Sequence, residues 1–122
     1  MKFVIASLLF LGFADPSLAG EPADLKKLQE ILRRAHETLP GEKLEDLAEE
    51  ASRYVRQAPK VFLLAQIDQP RCFGVEFLGA DFADQPVKRS RELAARRNSL
   101  NSVDDPKLAQ TKARCLAELA GS

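Results

Sequence analysis

Apolar positions divide this chain into one unbroken run followed by several stepped ones. The run Phe3 to Ala14 is interrupted only by Ser7 and Gly12, and Asp15-Pro16 ends it. Met1-Lys2 precedes it, and Ser17-Leu18-Ala19 follows. A positive start, a short apolar core and a small-x-small site form the pattern of a cleavable secretion signal. The run is about a dozen residues, short of the roughly twenty needed to span a bilayer. The sequence therefore predicts a signal peptide over 1–19, a cut before Gly20, and a single small domain over 20–122. The product is expected to be secreted or periplasmic, with no stable membrane insertion after cleavage.

Beyond that segment the period changes. Leu25, Leu28, Leu32, Ala35 and Leu39 step by three or four, with Ile31 widening the stripe, which predicts a helix over Pro22–Leu39. Pro22 suits its first turn, and Glu21 and Asp24 suit its positive end. Pro40-Gly41 breaks the pattern. A second stripe of Leu44, Leu47, Ala48, Ala51, Tyr54, Val55 and Ala58 ends at Pro59. Two amphipathic helices joined by a short turn make an N-terminal αα-hairpin.

The middle supports two readings. Val61–Ile67 and Cys72–Leu78 are short apolar runs on either side of Asp68-Gln69-Pro70-Arg71. They fit a short β-hairpin, which would need helices packed on it. They equally fit two short helices, since Cys72, Val75, Leu78 and Phe82 share a helical face. Runs this short are not separated by periodicity. The helical face tips the balance narrowly toward helices.

Further on, Asp84 is placed to cap a helix that has Pro86 near its start and runs toward Leu100. Asn98–Ser102 is expected to fray it. Asp105-Pro106 is a cap followed by a first-turn proline. In the last helix Leu108, Cys115, Leu116 and Leu119 share a face. The expected fold class is mainly α.

Composition narrows this picture. The chain has no Trp and one Tyr, so its core must come mainly from Leu, Ala, Val and Phe. Lys plus Arg and Asp plus Glu number 18 each, a balance unlike the basic excess of nucleic-acid binders. An exported chain with two cysteines, Cys72 and Cys115, is expected to pair them. The bond would close a loop of about 43 residues, worth roughly 4 kcal/mol at most in the chain-entropy model. Redox pairs are typically spaced C-x-x-C, so this wide spacing points to a structural bridge.

Candidate chemistry is sparse. His36 is the single histidine, and with both cysteines bridged it cannot assemble an N/S zinc site. No glycine-rich phosphate loop, calcium loop or nucleophile elbow occurs, and neither metal nor cofactor is expected. Asp68, Glu76, Asp81 and Asp84 lie around the Phe-rich middle, and a carboxyl buried there would become a proton donor. Read plainly, they are turn and cap residues. Lys88, Arg89, Arg91, Arg96 and Arg97 fall close together and are opposed only by Glu92. They are either a solvated face or a docking site for an anionic partner. Without interleaved aromatics, that partner is not nucleic acid.

These residues lead to the expectation of an exported, non-enzymatic interaction protein that binds a protein or an anionic envelope component. A periplasmic-type stress chaperone that exposes its Leu-rich helical hairpin surface when partly unfolded is the alternative. A small carboxylate-dependent enzyme comes third.

Overall fold

The computed structural model describes residues 16–37 and 40–121. The apolar core of the expected signal segment lies outside the described residues. Helix α1 spans Pro16–Ala35 and so begins before the Pro22 start expected from sequence. Pro22 therefore sits inside the helix. Leu28, Ile31 and Leu32 are buried, and Leu25 and Ala35 pack at the core margin. The stripe is thus the buried face, as the spacing predicts. The expected C-terminal position Leu39 lies outside the described residues. Past Ala35 the chain makes a turn, in which the His36 and Glu37 N–H groups donate to Arg33 and Arg34 carbonyls.

Helix α2, Gly41–Gln57, follows Pro40 and buries Leu47, Ala48, Ala51 and Val55. It packs against α1. Helix α3, Pro59–Gln66, opens with its proline in the first turn, where a missing N–H costs nothing. Val61, Phe62, Leu63, Ala65 and Gln66 are all buried. A helix covered around most of its circumference has no polar face to create a stripe, hence its unpatterned apolar sequence. It touches α1, α2 and two later helices, which makes it the centre of the fold.

The expected hairpin is not found: no strand occurs among the described residues. Val61–Gln66 is helical, but Cys72–Leu78 is neither helix nor strand. The chain from Ile67 to Gln85 is a series of turns with one 3-10 turn at Ala80–Phe82. Its backbone groups are met by its own successive turns and by side chains from the helices, so no partner strand is required.

Helix α4, Pro86–Asn101, does not use Asp84 as its cap. Asp84 adopts φ 57°, and Gln85 precedes the helix without a side-chain cap. The helix also persists through the stretch expected to fray, anchored there by Leu100, which is fully buried. Asp105 behaves as expected: its carboxylate accepts from the Lys107 N–H at 3.0 Å and starts a 3-10 turn, Pro106–Leu108. Helix α5, Ala109–Ala120, follows and buries Thr111, Cys115 and Leu119, with Leu116 at the core margin. Cys72 and Cys115 form a disulfide, S–S 2.11 Å, with Cα atoms 5.3 Å apart. The domain is therefore mainly α, with five α-helices and one bridge among the described residues. None of these helices is long and apolar enough to cross a membrane.

Candidate functional site: a segment clamped by its backbone

The Ile67–Gln85 segment is held at successive points by α2, α3, α4 and α5. At its start, the Arg114 guanidinium donates to the carbonyls of Gln69 and Gln66, the latter at 2.6 Å. A cation at the end of α3 also complements the negative pole of that helix. The Cys72–Cys115 bridge follows. Beside it the Cys72 N–H donates to Glu118 Oε2 at 2.9 Å, and Arg71 lies 3.8 Å from Glu118 Oε1.

Gln66 forms the next attachment. Its side chain is fully buried. Its Nε2 donates to the Phe73 carbonyl at 3.0 Å, and its Oε1 accepts from the Phe73 N–H at 3.1 Å. One amide side chain thus replaces the pair of bonds a neighbouring strand would make. Gly74 then takes φ +87°, and a Cβ there would lie 2.9 Å from Ala51 Cβ and 3.1 Å from the Ala48 carbonyl. Both the dihedral and the close approach to α2 require glycine.

Arg96 is the last deep attachment. Its Nη1 donates to the carbonyls of Val75 at 2.9 Å and Phe77 at 2.7 Å. Its Nε donates to Glu92 Oε2 at 2.9 Å, while Arg56 pairs with Glu92 Oε1 at 2.7 Å. A buried cation requires such full pairing to be tolerated. Near α4, Lys88 Nζ donates to the Asp81 carbonyl at 3.3 Å and sits 5.0 Å above the Phe82 ring.

These contacts change the expected docking face. Arg96 is only 4% exposed and is engaged inside the fold, so it is removed from that face. Lys88, Arg89, Arg91 and Arg97 are exposed. Arg97 lies nine positions after Lys88, which at 100° per residue puts them on opposite sides of α4. The run is not one convergent surface. The carboxylates Asp68, Glu76, Asp81 and Asp84 are also all exposed, so none is the buried acid that the third expectation requires. His36 is hydrogen-bonded through Nε2 to Gln69 Oε1 at 2.7 Å, which ties the end of α1 to the same segment. No group of three or more metal-ligating side chains occurs among the described residues.

Three groups on α1 and α2 are shifted from their ordinary values. A hydrogen bond from Arg33 holds the Glu30 carboxyl below its ordinary range. Hydrogen bonds to Glu30 and then Glu37 hold the Arg33 guanidinium further into its charged form. Burial, followed by the nearby Asp24 and Glu50 carboxylates, raises the Tyr54 phenol.

Sequence reasoning missed Gln66, Gly74, Arg114 and Glu118 as the holding residues. Two of them left a visible signal. Gln66 is a polar residue within an apolar run, and Gly74 is a lone glycine inside another. Comparison with protein-family models, with curated proteins and with solved structures finds no match.

Proposed function

We propose that this chain is an exported, non-enzymatic interaction protein that uses the clamped segment and the adjoining start of α4 to bind a protein partner. The observation that carries this reading is the holding of Ile67–Gln85. Long connections without regular structure are uncommon in compact domains and are usually functional or disordered. This one is fixed by a disulfide, two buried side chains and one glycine. Pre-organisation of this kind lowers the ordering cost of binding. Phe77, Leu78 and Phe82 are left half-buried on it, and Lys88 and Arg89 flank them. Aromatic and cationic side chains together are the usual anchors of protein interfaces.

Export is part of the same proposal. A cut before Gly20 would leave Pro22 in the first turn of α1, where its absent N–H has no intrahelical partner to lose. The disulfide is compatible with an oxidising compartment. The chaperone alternative exposes Leu28, Leu32 and Leu47 on partial unfolding, and these are buried at 0–3% in the folded domain. Affinity capture from the envelope fraction, run beside an aggregation assay with unrelated clients, separates the two. One dominant partner and no suppression of aggregation is the expected result. Suppression across many clients with no specific partner would overturn the proposal.

A further inference from the structure

Two hollows meet where the clamped segment crosses between α2 and α4. Gly79 and Phe82 line both. One, about 390 Å³, is bounded largely by Phe77, Leu78, Ala80, Phe82 and Ala83. Its charged residues are Glu45 of α2 and Arg89 of α4, which balance. The other, about 540 Å³, takes residues further along the same two helices. Three arginines face two glutamates there: Arg53, Arg56 and Arg96 against Glu49 and Glu92. Glu92 has one oxygen paired with Arg56 and the other with Arg96. Arg53 stands exposed one turn before Arg56. The trough thus has an apolar half with balanced charge and a half with a positive excess.

We infer that this trough binds a segment of a partner protein in which an apolar side chain is flanked by carboxylates. The inference deepens the proposed function and rests on it. The apolar residue enters beside Phe77, Leu78 and Phe82, and the carboxylates reach Arg53 and Arg56. Arginine forks suit carboxylates because they donate two parallel hydrogen bonds. Charge complementarity also selects among apolar segments, since a basic flank would meet the arginine excess of this half. The apolar half is recessed between two helices, which fits an inserted side chain better than a flat lipid surface. The positive excess is a single charge, far below what a phosphate backbone engages.

The test places a photo-reactive residue at Gln57 or Ala80, on the rims of the two halves, or at Ala117 on the exposed side of α5. Each full-length variant is expressed in cells and irradiated, and the cross-linked peptide is sequenced. The expected result is that Gln57 and Ala80 capture one segment of one protein, containing an apolar residue next to Asp or Glu. Arg53→Glu should then weaken binding of that segment, made as a synthetic peptide, about tenfold. Exchanging the peptide's acidic residue for Lys should restore it. Arg53→Gln, with a weaker loss, controls for misfolding, and thermal melting of each variant confirms the fold. A segment without acidic residues overturns the trough and leaves the proposed function standing, whereas capture from Ala117 alone overturns the trough and the clamped-segment surface and leaves only the reading as an interaction protein. Capture from none of the three positions overturns both.

Discussion

Gln66 and Phe73 are joined by two hydrogen bonds through a single side-chain amide, which donates to one backbone group and accepts from the other. Replacing Gln66 by Leu keeps most of the buried volume and removes both bonds. Each stranded buried polar group costs about 1–3 kcal/mol, so a loss of about 2–6 kcal/mol is expected for the two. Gln66→Glu should give a pH-dependent version. A buried carboxyl has a raised folded-state pKa, so destabilisation grows as pH rises above about 4.3, the ordinary value for Glu. Denaturant melts of both variants at pH 4 and pH 7 check this. Equal stability of Gln66→Glu at the two values would remove the amide clamp from the account.

Arg96 and Arg97 are neighbours in sequence with different surroundings. Arg96→Ala should cost about 3–5 kcal/mol because it strips Glu92 of its buried partner and leaves the Val75 and Phe77 carbonyls unmet. Arg97→Gln is exposed and should stay within about 0.5 kcal/mol. Thermal unfolding of the two single variants decides it. Similar costs for both would return Arg96 to the surface.

The bridge gives a symmetric prediction. Cys72→Ser and Cys115→Ser remove the same cross-link, so each should lower stability by up to roughly 4 kcal/mol. Non-reducing mass spectrometry of the natural product should show the oxidised monomer. Two free thiols in protein taken from its native compartment would count against the bridge.

Gly74 is open to substitution in neither dihedral nor space. Gly74→Ala should destabilise by about 1–3 kcal/mol, since it forces a non-glycine residue into positive φ against the backbone of α2. Gly41→Ala, where a Cβ meets nothing within 4 Å, is the control and should be neutral or stabilising. Urea titration of the pair measures the contrast.

Processing is checked by intact mass of the exported product. Its N-terminus should be Gly20. A full-length mass in the cytosolic fraction would remove the export proposal and the compartment on which the interaction reading depends.

The first two helices and the last were legible because they obey one periodicity. The stripes of α1 and α2 and the Asp105-Pro106 start of the last helical stretch are local patterns, and local patterns survive in sequence. The segment 67–85 was not legible, because what shapes it is not local. Phe73 is bonded from α3, Val75 and Phe77 from α4, and Cys72 from α5. Arg96 shows the same limit from the other side. In the sequence it is one of five clustered cations, and only packing separates it from Arg97. The carboxylates around the Phe-rich run misled for a related reason: proximity along the chain placed them beside phenylalanines, yet all four side chains face water.

The attachments at Phe73, Val75, Phe77 and Asp81 all grip main-chain atoms, which every amino acid supplies alike. Apart from Cys72, Gly74, the fully buried Val75 and Phe73 at the core margin, the held stretch places few demands on which side chains it displays. Phe77, Leu78 and Phe82 can therefore be exchanged while the frame around them stays put. Such an arrangement separates the inheritance of shape from the inheritance of preference. Under the proposed function, a lineage carrying this domain would retarget it by editing a handful of codons in one stretch of the gene, and the same freedom would suit it as a scaffold for selecting new binders in the laboratory.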